Sequence, residues 1–210
     1  MNKLLPIAFA SLIGCGQAVT VDPMETTKDE PTINAVKYPS GPYGYSQGSV
    51  VADLELTGQH DTNGNGLIDP ADTIAPIHFA DYYGGKTKVL VVMVAAGWCG
   101  PCKMEQPGLV QLWNAYQSSN PGEVAFLEAI IQNPAGQPSD MVFVDQWAKT
   151  YQIPFDMAAD PTVALGPYYN IAAFPMQMVL QTKDMTIQWQ NNGLANEELK
   201  AQVDSVLAAN

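Results

Sequence analysis

Two cysteines, Cys99 and Cys102, stand two residues apart in the segment Trp98-Cys99-Gly100-Pro101-Cys102. A C-x-x-C pair does one of two kinds of chemistry: reversible disulfide formation, or half of a tetrahedral zinc site. Zinc would need a second ligand pair. Cys15 is the one further cysteine, and the two histidines, His60 and His78, both lie upstream without ligand spacing. The pair therefore reads as redox, and Cys15, at the end of a short apolar segment, has a separate job.

A second constellation is the run Asp61-Thr62-Asn63-Gly64-Asn65-Gly66-Leu67-Ile68-Asp69-Pro70-Ala71-Asp72. It resembles an EF-hand calcium loop, with oxygen side chains at the first, third, fifth and ninth positions (Asp61, Asn63, Asn65, Asp69). Gly66 falls at the sixth position, Leu67 offers its carbonyl at the seventh, Ile68 is apolar at the eighth and Asp72 closes the loop. Aspartate replaces the glutamate usual at the last position, and the flanking segments carry no helix pattern. The same residues suit an Asn/Gly-rich turn, so a structural calcium site and a plain turn both stand.

The elements that must position the cysteines follow from the hydropathy pattern. Residues 88–95 are a continuous β-branched run, the mark of a strand buried on both faces. Gly97 breaks it, and a helix follows from Cys99 to about Ser118 with Leu109, Leu112, Trp113 and Tyr116 on its apolar face. Residues 124–131 form a second buried strand, and residues 141–151 a helix carrying Val142, Val144, Trp147 and Ala148. Residues 50–56 alternate as an edge strand, and residues 176–180 and 185–189 make a closing hairpin. Asn196 is expected to cap a last helix. Strands alternating with helices predict an α/β fold around one central sheet.

In that context Trp98-Cys99-Gly100-Pro101-Cys102-Lys103-Met104 resembles the active site of thioredoxins, with Pro107 where that family kinks the helix. The resemblance spans residues 49–210 and implies a thioredoxin-like fold: a central mixed sheet flanked by helices. It also implies a cis-proline opposite the dithiol, which matches Pro175 in Ala172-Ala173-Phe174-Pro175-Met176. Phe174 replaces the small residue often found there and is read as a specificity feature. Cys99, at a helix start, is the expected nucleophile, because free N–H groups and the helix dipole favour a thiolate. Cys102, a turn further in, is the resolving thiol, and Gly100-Pro101 keeps the link short and stiff. Exchange would run through a mixed disulfide.

Two positions refine the resemblance. Six residues before Cys99, where thioredoxin itself carries a buried acid, stands Met93, which argues against that proton relay. Glu105, three residues after Cys102, matches an acid of TlpA- and ResA-like membrane-tethered oxidoreductases, which also insert a helix and a strand between dithiol and cis-proline. Residues 124–165 are long enough for that insertion. Glu105 is then expected to tune Cys102 or relay its proton; an ordinary surface glutamate is the plainer alternative.

The N-terminus reads as an address. Lys3 precedes an apolar run over residues 4–13, too short to cross a bilayer and of signal-peptide length. Leu12-Ile13-Gly14-Cys15 resembles the lipobox of bacterial lipoproteins, which implies lipidation of Cys15; a plain secretory signal is the alternative. The domains expected are a signal peptide over 1–14, a polar acidic tether over 15–48 and a thioredoxin-like domain over 49–210. The chain carries 21 acidic residues against 9 basic, a formal net charge of −12, and every basic residue is lysine. That excludes the basic stripes and Arg forks of nucleic-acid binding.

The function expected is an extracytoplasmic, lipid-anchored thiol–disulfide oxidoreductase of protein-disulfide reductase type. It needs no cofactor beyond the Cys99–Cys102 disulfide, with calcium at the 61–72 loop as an added component. Partners implied by the resemblance are extracytoplasmic proteins with thiols or disulfides, among them apocytochrome c and metallochaperones, and a membrane redox donor. A peroxidase of the peroxiredoxin type would place Thr and Pro before its cysteine, and Ala95-Ala96-Gly97-Trp98 offers neither. A Sco-like copper carrier needs a wider cysteine spacing and a later histidine. A calcium-stabilised surface binding module with an idle dithiol is the alternative outside redox chemistry.

Overall fold

The computed structural model describes residues 37–210; the segment expected to be a signal peptide, Cys15 and most of the expected tether lie outside the described residues. A mixed seven-stranded sheet carries the fold, in the order β2-β1-β5-β4-β3-β6-β7. Its strands are β1 (Glu55–Gln59), β2 (Ile74–His78), β3 (Val89–Ala95), β4 (Val124–Ile130), β5 (Asp156–Ala159), β6 (Met176–Gln181) and β7 (Thr186–Asn192). Among the described residues three α-helices cover it: α1 (Gly100–Ser119), α2 (Met141–Tyr151) and α3 (Asn196–Ala208). β3 and β4 run parallel at the centre, and β6 pairs antiparallel to β3. Among the described residues no helix is long and apolar enough to cross a membrane.

β3 shows why the centre holds. All of its residues are buried, as an unbroken Val-Leu-Val-Val-Met-Val-Ala run requires. It ends where Gly97 passes under the 133–134 backbone: a Cβ on Gly97 would meet Pro134 N at 2.7 Å and Asn133 C at 2.8 Å. Only glycine fits that approach, and the chain turns there into α1. The expected insertion is present as α2 and β5, and β5 joins β4 to β1 within the one sheet.

Three expectations need correction. The edge strand read over residues 50–56 starts only at Glu55, because Val50 and Val51 pair instead with Thr186 and Met185 at the start of β7. β2 is a strand the pattern does not signal, since Pro76 interrupts it; as an edge strand it tolerates the missing N–H. Asn196 is the first residue of α3 rather than its cap, which is Ala195, and its side chain serves the region beneath the cysteines instead. The fold also reaches further back than residue 49. Tyr38 donates its hydroxyl to Val51 O, and the Tyr45 ring meets Tyr168 edge-on.

Candidate active site

Cys99 is the N-cap of α1, and its Sγ accepts the Cys102 N–H at 3.1 Å. Pro101 sits in the first turn, where a missing N–H costs nothing, and no acid occupies that turn to compete for the helix dipole. The cysteines form a disulfide, with Cα atoms 5.3 Å apart. Cys99 is 3 % exposed and Cys102 is fully buried, so an incoming sulfur reaches Cys99 first.

Around the disulfide the surface is apolar and largely aromatic. Trp98 is exposed, and its Nε1 donates to Gln132 Oε1 at 2.8 Å, which fixes the ring. Phe174 stands edge-on to Trp98 at 5.5 Å and to Tyr169 at the same separation. The Phe174–Pro175 bond is cis, and the pairing of Met176 with Val94 puts Pro175 at the same end of the sheet as Cys99. Trp98, Cys99, Gly100, Pro101, Cys102, Phe174 and Pro175 thus share one end of the sheet. Phe174→Thr removes two aromatic edge contacts, an expected loss of about 1–2 kcal/mol, or about 2–8 °C in Tm for a domain of this size. Its rate on a small disulfide is expected to stay within about twofold while its rate on a protein disulfide changes more. Equal changes on both substrates would remove the specificity role.

Beneath the cysteines lies a polar layer. Glu105 is not a surface residue: it is 1 % exposed, and Gln177 Nε2 donates to its Oε2 at 3.0 Å. Burial, reinforced by repulsion from Glu128, pushes its carboxyl up to about 9. Glu128, on β4, is fully buried and accepts from Gln106 Nε2 at 2.7 Å, and burial raises its carboxyl to about 7. The indole of Trp147, on α2, acts on the same carboxyl in the opposite direction without a bond of ordinary geometry. Met93 pairs with Glu128, so a buried acid arrives one strand over from the position that Met93 leaves apolar. One glutamate inside the otherwise apolar Val-Ala-Phe-Leu-Glu-Ala-Ile strand is the signal that points to it.

The 61–72 loop does not join this site; it is anchored where Ile68 N donates to Ile153 O. Asp61 accepts from the N–H groups of Gly64, Asn65 and Gly66. The amide nitrogens of Asn63 and Asn65 donate to Asp69, while their Oδ1 atoms accept from Asn65 N and Leu67 N. Asp72 is different: its carboxylate accepts from Thr62, Asn63 and Asp69 N–H groups, which hold it below the usual carboxylate range against the opposing effect of burial. It clasps the loop, with Oδ1 shared by Thr62 and Asn63 and Oδ2 accepting from Asp69 N. Among the described residues no group of three or more His, Cys, Asp or Glu side chains is placed to hold a metal. Calcium at Asp61, Asn63, Asn65, Leu67 O and Asp69 is therefore a proposal. It is expected to raise the Tm by about 3–6 °C at tenfold excess over Kd, relative to EDTA. A Tm indifferent to both removes it.

These features define a class: a thioredoxin-like α/β protein with a disulfide at the N-terminus of its central helix and a cis-proline at the same end of the sheet. The chain belongs to the AhpC/TSA family, whose model matches residues 51–189. No curated protein sequence matches the chain. Among solved structures it is similar to a Chlorobium tepidum protein assigned as the thiol:disulfide interchange protein DsbE. That similarity has 18% identity and a TM-score of 0.58, covering 78% of this chain and 99% of the other. A Bacteroides thetaiotaomicron protein assigned as a protein disulfide isomerase matches at 17% identity and TM-score 0.59, over 79% and 92% of the two chains. AhpC from Enterococcus faecalis matches at 17% identity and TM-score 0.55, over 78% and 91%. At these identities the likeness establishes the fold.

Proposed function

We propose that the chain is an extracytoplasmic thiol–disulfide oxidoreductase of the TlpA/ResA-like kind, tethered to a bacterial membrane through lipidated Cys15. The observation that carries the chemistry is Cys99 as the cap of α1, the more accessible sulfur of a pair whose partner lies one turn inside. In the reductive direction the Cys99 thiolate attacks a substrate disulfide. One substrate sulfur bonds to Cys99 and the other leaves as a thiolate, which takes a proton from solvent. Cys102 then loses its proton and attacks Cys99 Sγ. The Cys99–Cys102 bond forms, the second substrate thiolate departs, and two electrons have passed from the protein to the substrate.

The substrates this reading favours are extracytoplasmic proteins, apocytochrome c or metallochaperones among them, with a membrane donor restoring the dithiol. The uncharged aromatic face at Trp98 and Phe174 suits a polypeptide rather than an anionic small molecule. Insulin-disulfide reduction with a Cys99→Ser control tests the activity, and the reduction potential of the pair sets its direction.

A second reading, thiol peroxidase, draws on the family and on the fold likeness to AhpC. Peroxide consumption by the reduced chain separates the two. A rate that outstrips insulin reduction would favour the peroxidase.

A further inference from the structure

The register of the sheet sets Met157, Glu128, Met93, Gln177 and Asn191 in one row across β5, β4, β3, β6 and β7. Directly opposed residues project from the same face, so Glu128 and Gln177 straddle Met93 at one strand spacing, about 4.8 Å, on either side. Helix α1 forks over this row. Gln106 reaches down to Glu128 on one side of β3, and the neighbouring Glu105 reaches Gln177 on the other. Asn196 of α3 closes the group by accepting from Gln177 Nε2 at 2.9 Å and donating to Glu105 O at 3.3 Å. Gln106 also donates to Cys102 O at 3.1 Å, which ties the row to the resolving cysteine.

The hydrogen-bond inventory of this cluster is one-sided. Both N–H groups of Gln106 and both of Gln177 are used. Four buried oxygens still have no partner: Glu105 Oε1, Glu128 Oε2, Gln106 Oε1 and Gln177 Oε1. Among the described residues Trp147 Nε1 is an unpartnered donor that acts on the Glu128 carboxyl. Among the described residues no lysine or histidine lies within ion-pair distance of either carboxyl. A carboxylate only accepts, whereas a carboxylic acid supplies a donor. A buried cluster with surplus acceptors and no cation therefore holds protons on its acids. The upward shifts of Glu105 and Glu128 agree with that count.

We propose that Glu128 is a positioning acid for Cys102: its carboxyl and that of Glu105 form one electrostatically coupled pair beneath the first turns of α1. The inference rests on the oxidoreductase reading above and adds the residue that sets its proton traffic. Glu105 follows Cys102 by one helical turn on the same face, so it is the member that exchanges protons with the thiol. Glu128 acts through Glu105, by repelling its charge. At neutral pH the pair holds more than one proton but fewer than two, with Glu128 the partly ionised member, and so has room for the thiol's. When the disulfide closes, the Cys102 S–H proton passes to the pair, Cys102 Sγ bonds to Cys99 Sγ and the substrate sulfur leaves as a thiolate. When the disulfide opens, the pair returns that proton to Cys102. The other groups facing Glu128 are Met93 and Met157 in the sheet, Gln106 on α1, and Trp147 with Tyr151 on α2. Lys103 stays exposed at the rim of the same α1–α2 groove.

Ellman's disulfide tests this, because it releases one thionitrobenzoate when Cys99 attacks and a second when Cys102 resolves the mixed disulfide. The reduced chain, Glu128→Gln, Glu105→Gln and the double variant are followed from pH 5 to 10. Glu128→Gln is expected to move the midpoint of the second phase by at least about one pH unit, the measure of two coupled sites, and to leave the first phase unchanged. The double variant is expected to match Glu105→Gln alone. A second-phase midpoint that moves by less overturns the role of Glu128. A wild-type chain that releases no thionitrobenzoate overturns the oxidoreductase reading instead. If Glu128→Gln does not fold, carboxyl carbon NMR of the oxidised wild type carries the same test. Two glutamate signals titrating above pH 6 support the pair, and all signals titrating below pH 5 overturn it.

Discussion

Cys99→Ser should bring insulin-disulfide reduction down to the rate of the chemical reductant alone, a loss of at least about 10³-fold, as expected when the nucleophile of a covalent mechanism is removed. Cys99 is the first sulfur an incoming disulfide meets, being 3 % exposed against a fully buried Cys102. Its Sγ already takes a helix N–H, and the first turn of α1 contains no acid. Those donors and the dipole stabilise a thiolate there and do far less for a neutral serine hydroxyl. Serine also cannot form the mixed disulfide, so no weaker version of the same path remains.

Cys102→Ser should behave differently. Cys99 still attacks, but nothing resolves the product, so the variant accumulates a covalent adduct after a single turnover, visible as a mass increase that dithiothreitol removes. The two variants should remain folded. A disulfide closing so short a loop contributes about 2 kcal/mol or less, small against the buried core. Insulin reduction by Cys99→Ser at more than a hundredth of the wild-type rate, with circular dichroism unchanged, would sink the assignment of the nucleophile.

What the residues reveal on their own depends on how local the determining physics is. β3, α1 and α2 are readable because a fully buried strand needs an unbroken apolar run and a helix on a sheet needs one apolar face. The cysteine pair is readable because its spacing and the glycine-proline link act within a single turn. The start of β1 is not, because Val50 and Val51 are drawn to the β7 side by partners more than a hundred residues away. Asn196 looks like a cap for the same reason. Its amide is claimed by Gln177 and Glu105, from β6 and α1, and no local pattern encodes that choice. Glu105 stands out in the sequence only through a resemblance, and its burial becomes evident only once β6 is laid beside β3. Glu128 and Gln106 join the site purely through the register of parallel strands and the seating of α1 on them. The exposed aromatic face combines both cases: Trp98 belongs to the motif, whereas its support from Gln132 and Phe174 is tertiary.

The oxidised protein should lose stability as pH is raised from 5 to 9. In the folded state Glu105 is pushed up to about 9 and Glu128 to about 7, against an ordinary value of 4.5. Below pH 4.5 both forms of the chain carry these protons, and the stability linked to them is fully present. Above it the unfolded chain releases them while the folded chain keeps them, so stability falls by up to about 1.4 kcal/mol per pH unit for each proton retained. The fall is steepest between about 4.5 and 7, where both acids still hold protons, and continues at a lower slope until Glu105 ionises near 9. Local relaxation around the two buried charges keeps the total to a few kcal/mol. His60, raised by its bond to Asp156, adds a smaller loss of the same sign, damped by its exposure. Asp72 and Asp204 act in the opposite sense, since both are held below the usual carboxylate range and lose their partners only as pH drops under it. Maximum stability is therefore expected near pH 5 rather than at neutrality. Urea unfolding at pH 5, 7 and 9 measures this directly. Glu105→Gln and Glu128→Gln should each flatten the curve, because a neutral amide keeps the geometry and releases no proton. The growing negative charge of an already acidic chain is common to all three proteins, so the difference between their slopes isolates the buried pair. A wild-type curve that rises or stays level from pH 5 to 9, or variants that share its slope, would mean that the two carboxyls ionise in place without cost.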